Sequence, residues 1–253
     1  MSASILASKD GVNLAYHHHP GRAPAVVFLG GFRSAMSGNK AMFLEHWCGQ
    51  RGQAYVRMDY RGHGESSGEF EAACVSDWVA DVEAVLAHIC EQELLLVGSS
   101  MGGWIATLIA RAWAQDHERP AIQGLIGMAA APDFTRRGLW QRLDARARAE
   151  IATNGVTYVP SDYDDGPYPI TAKLIDDGAH NLVLDSPLVL PMPVRLLHGA
   201  NDADVPWSHS QVLLEHMDSE DASLTIVKGA DHRLSEDAHL RLLARTVAEL
   251  SGF

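Results

Sequence analysis

Disulfide chemistry has little to work with in this chain. Its 253 residues include three cysteines, Cys48, Cys74 and Cys90. The number is odd and none has metal-ligand spacing to another, so neither a disulfide framework nor a cysteine metal site is expected. Three free thiols suit a reducing compartment, and the cytoplasm is the expected setting. No apolar run approaches the length of a membrane span. Met1 to Asp10 has no apolar core behind a basic start, so it does not read as a secretory signal. Positive charge is short as well: 20 Lys and Arg against 32 Asp and Glu give a net charge of −12. Such a surface repels phosphate backbones, which removes nucleic acid from the expected partners. Internal repeats and low-complexity tracts are missing too.

What is present is a soluble globular composition, 47% hydrophobic and 21% charged, at a length that suits one α/β domain. Short apolar runs alternate with helical periodicity almost to the end. Ile5–Ala7 and Asn13–Tyr16 flank Asp10-Gly11 as a hairpin. Strands are expected at 25–29, 54–58, 94–97, 122–128, 194–197 and 224–227. Helices are expected at 40–48, 75–89, 104–114, 210–216 and 237–250. This order implies a mostly parallel sheet flanked by helices. The rhythm breaks between Asp133 and Pro191. There, 139–151 reads as an amphipathic, Arg-rich helix, and 158–169 holds too much Pro, Tyr and Asp for regular helix. The division expected is therefore a core of 1–132 and 192–253, with 133–191 inserted as a small cap. The run His17-His18-His19 offers metal donors, although a solvated strand end or turn is the reading preferred for it.

The sharpest chemical motif is Gly98-Ser99-Ser100-Met101-Gly102, between a strand and a helix. A tight turn there lifts the Ser100 hydroxyl clear of the chain, and a Cβ at Gly98 or Gly102 would crowd it. A serine hydroxyl needs a base. Of thirteen histidines, His232 sits between the last strand and the last helix, where loops converge on the sheet's carboxyl edge. His209, His216 and His239 fall within helices and read as surface residues. The acid expected is Asp202, in the loop after 194–197, with the task of fixing the imidazole tautomer. Asp204 is its rival. Asp231 adjoins His232 but points away from it, and Asp133 follows an earlier strand. The negative oxygen of a tetrahedral intermediate needs donors. The backbone N–H groups of Met101 and of Phe32, in Gly30-Gly31-Phe32-Arg33, are assigned to it. Arg33, Arg61, His63, Trp104 and Trp207 lie near this edge as substrate contacts or structural residues. Tyr158, Tyr163 and Tyr168 either line an acyl pocket or pack the cap.

Three segments together resemble the α/β-hydrolase superfamily: Asp59-x-Arg61-Gly62-His63-Gly64-x-Ser66, Gly98-x-Ser100-x-Gly102-Gly103, and His198-Gly199-x-x-Asp202-x-x-Val205-Pro206. Further segments are similar to a narrower family, that of the mitochondrial palmitoyl-protein thioesterase and mycophenolic-acid acyl-glucuronide esterase. They are Met36-Ser37-Gly38-x-Lys40-Ala41, Val97 to Trp104, Arg195 to Gly199 and Asp231-His232-Arg233. The similarity runs from about Pro24 to the end. It implies an α/β-hydrolase fold and a triad of Ser100, Asp202 and His232. The implied substrate is a long-chain, palmitoyl-type acyl thioester or an activated acyl ester, carried by a small molecule or an acylated protein, and its cleavage through an acyl-enzyme on Ser100 needs no cofactor or metal. The alternatives are a small-ester carboxylesterase or methyl-ester esterase, and a non-catalytic binding protein on the same scaffold.

Overall fold

The computed structural model describes residues 2–160 and 166–252. The first half of the chain lays down β1 (Ser4–Ala7), β2 (Asn13–His19), β3 (Arg22–Leu29), α1 (Asn39–Arg51) and β4 (Gln53–Met58). It continues through α2 (Val75–Ile89), β5 (Glu93–Ser99), α3 (Met101–Trp113) and β6 (Ala121–Met128). The last part supplies β10 (Val194–Gly199), α7 (Ser208–His216), β12 (Ala222–Val227) and α8 (Asp237–Ser251). These strands form one eight-stranded sheet in the order β1-β2-β4-β3-β5-β6-β10-β12. The β1–β2 and β2–β4 pairs are antiparallel and the remaining pairs parallel.

Helices on both faces explain why the central strands are continuous apolar runs. Successive side chains point to opposite faces. In β3, Val27 and Leu29 join the cluster that holds Trp78 and Val82 of α2 and Ile105 and Ile109 of α3. Val26 and Phe28 join the other, with Leu44 and Cys48 of α1 and Leu243 and Val247 of α8. The fold is the expected one, an α/β-hydrolase core with a mostly parallel sheet. Two local readings of the last and the third helix need correction. His239 of α8 is buried, at 8% exposure, because it falls beside Leu240 and Leu243 on the face that α8 turns inward. The helix α3 starts three residues earlier than expected, since the turn at Ser100 leads straight into it.

Between β6 and β10 the chain builds a separate layer. A π-helical turn (Thr135–Leu139) runs into the short α4 (Trp140–Arg142), then α5 (Ala145–Asn154), a hairpin of β7 (Val156–Val159) and β8 (Tyr168–Thr171), and α6 (Ala172–His180). The expected helix over 139–151 is therefore broken. Leu143 is extended (ψ 128°), because the Asp144 side chain caps α5 by accepting from the Ala147 N–H. Two short strands follow, β9 (Leu188–Val189) and, after α7, β11 (Met217–Asp218), which pair with each other. Leu143, Ile151 and Ile170 make a small apolar core for this layer, and Phe32 and Tyr168 pack against it.

Candidate active site

Ser100 stands between β5 and α3, and its backbone takes the rarely populated φ 54°, ψ −118°. The turn closes because two glycines leave room. A Cβ on Gly98 would sit 2.3 Å from the Gly102 carbonyl oxygen, and one on Gly102 would sit 2.1 Å from that of Leu29. Such a pinched strand-to-helix turn stores strain and projects the hydroxyl.

The loops after β10 and β12 bring the partners. His232 Nε2 lies 3.0 Å from Ser100 Oγ, and His232 Nδ1 lies 2.7 Å from Asp202 Oδ2. Asp202 Oδ1 accepts from the backbone N–H groups of Asp204 (2.9 Å) and Val205 (2.8 Å). Burial works to raise the Asp202 carboxyl, but hydrogen bonds from His198 and His232 outweigh it and hold the group well below the usual carboxylate range. Asp202 is thus a buried carboxylate aimed at the Nδ1–H of His232. That leaves Nε2 as an acceptor facing a hydroxyl, the arrangement a general base needs.

His198 is the residue the sequence reading passed over. It is the last residue but one of β10 and has no exposure. Its Nε2 lies 3.0 Å from Asp202 Oδ2 and 2.9 Å from the Val205 carbonyl oxygen. Two acceptors on one nitrogen place the proton there, and Nδ1 then accepts from the Ser210 hydroxyl at 2.7 Å. The signal was available in His198-Gly199, one turn of chain before Asp202, but a motif does not say where a ring points.

The other candidates sort clearly. Asp204 lines the cavity, and its N–H supports Asp202. Asp231 accepts from the N–H groups of Arg233 and Leu234, a turn role. Asp133 is buried and accepts from Val183 and Leu184 N–H. Arg61 pairs with the buried Asp81 at 2.7 Å. Trp104 is buried and donates to the Asn181 carbonyl, while Trp207 is partly exposed beside α7. His63 does reach the site. Its Nε2 accepts from the Arg33 N–H at 3.1 Å, and burial pushes its pKa down to about 4. A neutral His63 therefore clamps the Gly30–Arg33 loop next to the Ser100 turn. Gly31 in that loop is so close that a Cβ would lie 3.3 Å from Ser100 Cβ.

A cavity of about 910 Å³ opens over Ser100 and His232, bounded by Phe32, Met101, Leu143 and Tyr168. That is near the upper end of small-molecule sites, roughly 300–1,000 Å³. Phe32 and Met101 both border it, and the backbone N–H groups of the two residues bond to no other group among the described residues. The cavity also collects cations: Arg33, Lys40, Arg142 and Arg233 border it, against one acid, Asp204. Lys40 donates to the Arg233 carbonyl, and burial pulls its ammonium down to about 8. Of the three tyrosines, Tyr168 borders the cavity, Tyr158 points to solvent and bonds Glu71, and Tyr163 lies outside the described residues.

A strained serine at a strand-to-helix turn, with a histidine and a buried carboxylate from the next loops, is the constellation of an α/β hydrolase. The comparisons agree. Residues 22–157 match the Hydrolase_4 family, described as serine aminopeptidase, S33. The chain belongs to that family, and it is a hydrolase. It is 37% identical, over 98% of its length and 80% of the relative's, to a bovine protein named palmitoyl-protein thioesterase ABHD10, mitochondrial. The human protein of that name is 35% identical over 98% of this chain and 80% of its own. Among solved structures, a putative hydrolase from Agrobacterium vitis superposes with a TM-score of 0.94 at 34% identity, over 99% of this chain and 98% of the other. Mouse ABHD10 superposes with a TM-score of 0.89, also at 34% identity and the same coverage.

Proposed function

We propose that this hydrolase cleaves carboxylic esters or acyl thioesters through an acyl-enzyme on Ser100. The observation that carries the reading is the unbroken hydrogen-bond line from Ser100 Oγ through His232 to Asp202. His232 takes the Ser100 proton as Oγ attacks the acyl carbonyl, and Asp202 stabilises the imidazolium. The N–H groups of Phe32 and Met101 receive the oxyanion. Collapse of the tetrahedral adduct breaks the bond to the leaving thiol or alcohol, which takes the proton from His232. Water, deprotonated by the same ring, then releases the acid and restores Ser100. None of these steps calls for a cofactor or metal.

For substrate we propose a long-chain acyl group. The relatives named as palmitoyl-protein thioesterases support this, and so do the size and partly apolar lining of the cavity. The four cationic side chains around the cavity favour a second feature, negative charge on the leaving group, as in an acyl glucuronide. The free Cys48, Cys74 and Cys90 support a reducing setting such as the cytoplasm. No helix among the described residues is long and apolar enough to cross a membrane.

The test is initial rates on p-nitrophenyl esters from acetyl to palmitoyl, and on a palmitoyl thioester, for wild type and Ser100→Ala. Rates that rise with chain length or favour the thioester, and vanish in the variant, support the deacylase. Preference for acetyl or butyryl turns the reading to a small-ester carboxylesterase. Equal rates in Ser100→Ala overturn the mechanism.

A further inference from the structure

Among the described residues, two groups of three histidine or carboxylate side chains draw together. One is Asp202, Asp204 and His232, part of the site above. The other is His17, His19 and Glu45, where one donor atom from each lies within 4.8 Å of the others. The pairing of β1 with β2 stops at Tyr16, so the second half of β2 borders only β4 and is half-buried rather than enclosed. His17 and His19 are two apart on a strand and share a face. Helix α1 brings Glu45 to that face, while His18 turns the other way to Glu91 at 2.8 Å.

We propose that His17, His19 and Glu45 bind a borderline transition-metal dication, Zn²⁺ in the first instance, which ties β2 to α1. Two imidazoles and one carboxylate with a fourth position left to water form a recurrent tetrahedral donor set, with bonds of roughly 2.0–2.2 Å. Donors in such a set stand roughly 3.3 Å apart, so side-chain adjustment of about 1.5 Å at most assembles it from the spacing seen.

The surroundings suit a ligand set. Glu45 is gripped by Arg57, whose Nε meets Oε1 and whose Nη2 meets Oε2, both at 3.0 Å. Arg57 is itself held by the Met36 carbonyl. A carboxylate fixed from behind in this way is what an outer shell supplies. Its two oxygens offer about four lone-pair sites, so the grip leaves room for an ion. Arg57 adds a positive charge, which Glu45 offsets. His19 Nε2 already lies 2.9 Å from Glu45 Oε1; the ion takes the place of the proton between them, which passes to solvent. The ring of His17 has no hydrogen-bond partner among the described residues.

The experiment uses the untagged full chain freed of metal with a chelator, titrated with Zn²⁺ in a calorimeter, with p-nitrophenyl butyrate turnover followed in parallel. Wild type and His18→Ala should each bind one ion at the same affinity. His17→Ala and His19→Ala should bind about tenfold more weakly or worse, with unchanged turnover and circular dichroism. Zn²⁺ should raise the Tm of wild type and not of those two variants. Absence of binding to wild type overturns the proposal. So does binding that survives in His17→Ala and His19→Ala; if Zn²⁺ also suppresses turnover in them, the ion sits at Asp202, Asp204 and His232 instead.

Discussion

His198→Phe keeps the ring volume and removes both nitrogens. Asp202 Oδ2 loses one of its two hydrogen bonds, a charge-assisted one worth about 1.5–3 kcal/mol, and keeps the one from His232. Its Oδ1 stays pinned by the N–H groups of Asp204 and Val205, so the carboxylate loosens without turning away. If about half of the lost interaction is felt in the transition state, kcat/KM falls by roughly tenfold, since 1.36 kcal/mol is one decade. The Val205 carbonyl and the Ser210 hydroxyl lose their partner as well. At about 1–3 kcal/mol for each buried group left unmade, the fold is destabilised too. Rate and stability therefore both drop, and a third readout separates positioning from mere packing. The His198 proton draws charge from Asp202; without it Asp202 becomes more basic and holds the imidazolium of His232 more strongly. The acid limb of the kcat/KM profile should then move to higher pH. Hydrolysis of a p-nitrophenyl ester from pH 5 to 9, beside a thermal melt, measures all three. A lowered Tm with unchanged kcat/KM and an unmoved acid limb would refute the reasoning and reduce His198 to a filler of space.

Three other outcomes are expected. Gly102→Ala places a methyl 2.1 Å from the Leu29 carbonyl oxygen, which is backbone and cannot swing aside; soluble protein with wild-type kcat would contradict the tight-turn account. Lys40, lowered to about 8 by burial, is charged below that pH. Its help to an anionic leaving group is lost as pH rises through 8, so KM for a carboxylated ester should climb there while KM for a neutral ester stays flat. Asp133→Ala strips the acceptor from two buried N–H groups. It should cost at least about 2 kcal/mol, a Tm drop of roughly 4–8 °C in a chain of this size, and a calorimetric scan showing no shift would contradict the role given to that carboxylate.

The parallel sheet was legible because Val26 to Leu29 and Leu94 to Val97 face helices on both sides and so had to be apolar throughout. Ser100 was legible because few sequences satisfy strand, glycine-flanked turn and helix at once. Asp202 and His232 could be placed because loops at the carboxyl edge converge. The cap was not read so well. Its helix breaks at Leu143 through a single capping bond from Asp144, and the strands β7 and β8 span four residues each, too short for alternation to register. His198 and Asp133 were missed as parts of the machinery because their work depends on partners far along the chain or on ring orientation, and neither leaves a local pattern. The inward turn of His239 likewise depends on which stripe of α8 meets the sheet.

Asp133 has a consequence for how this enzyme can change. It stands where the chain leaves the sheet for the cap, with φ 57°, and its carboxylate grips Val183 and Leu184, where the chain comes back. Trp104 and Arg111, both on α3, hold the neighbouring carbonyls of Asn181 and Leu182. The two feet of the cap are thus fastened to each other and to the scaffold by three core side chains, whatever lies between them. The span can change in length at little entropy cost, because its ends are fixed, provided that Phe134 and Tyr168 keep their packing on Phe32 and Trp104. The share of the cavity wall made by Arg142, Leu143 and Tyr168 thus sits on a stretch anchored apart from the serine turn, and 134–180 marks the part that could be transplanted between relatives as a cassette.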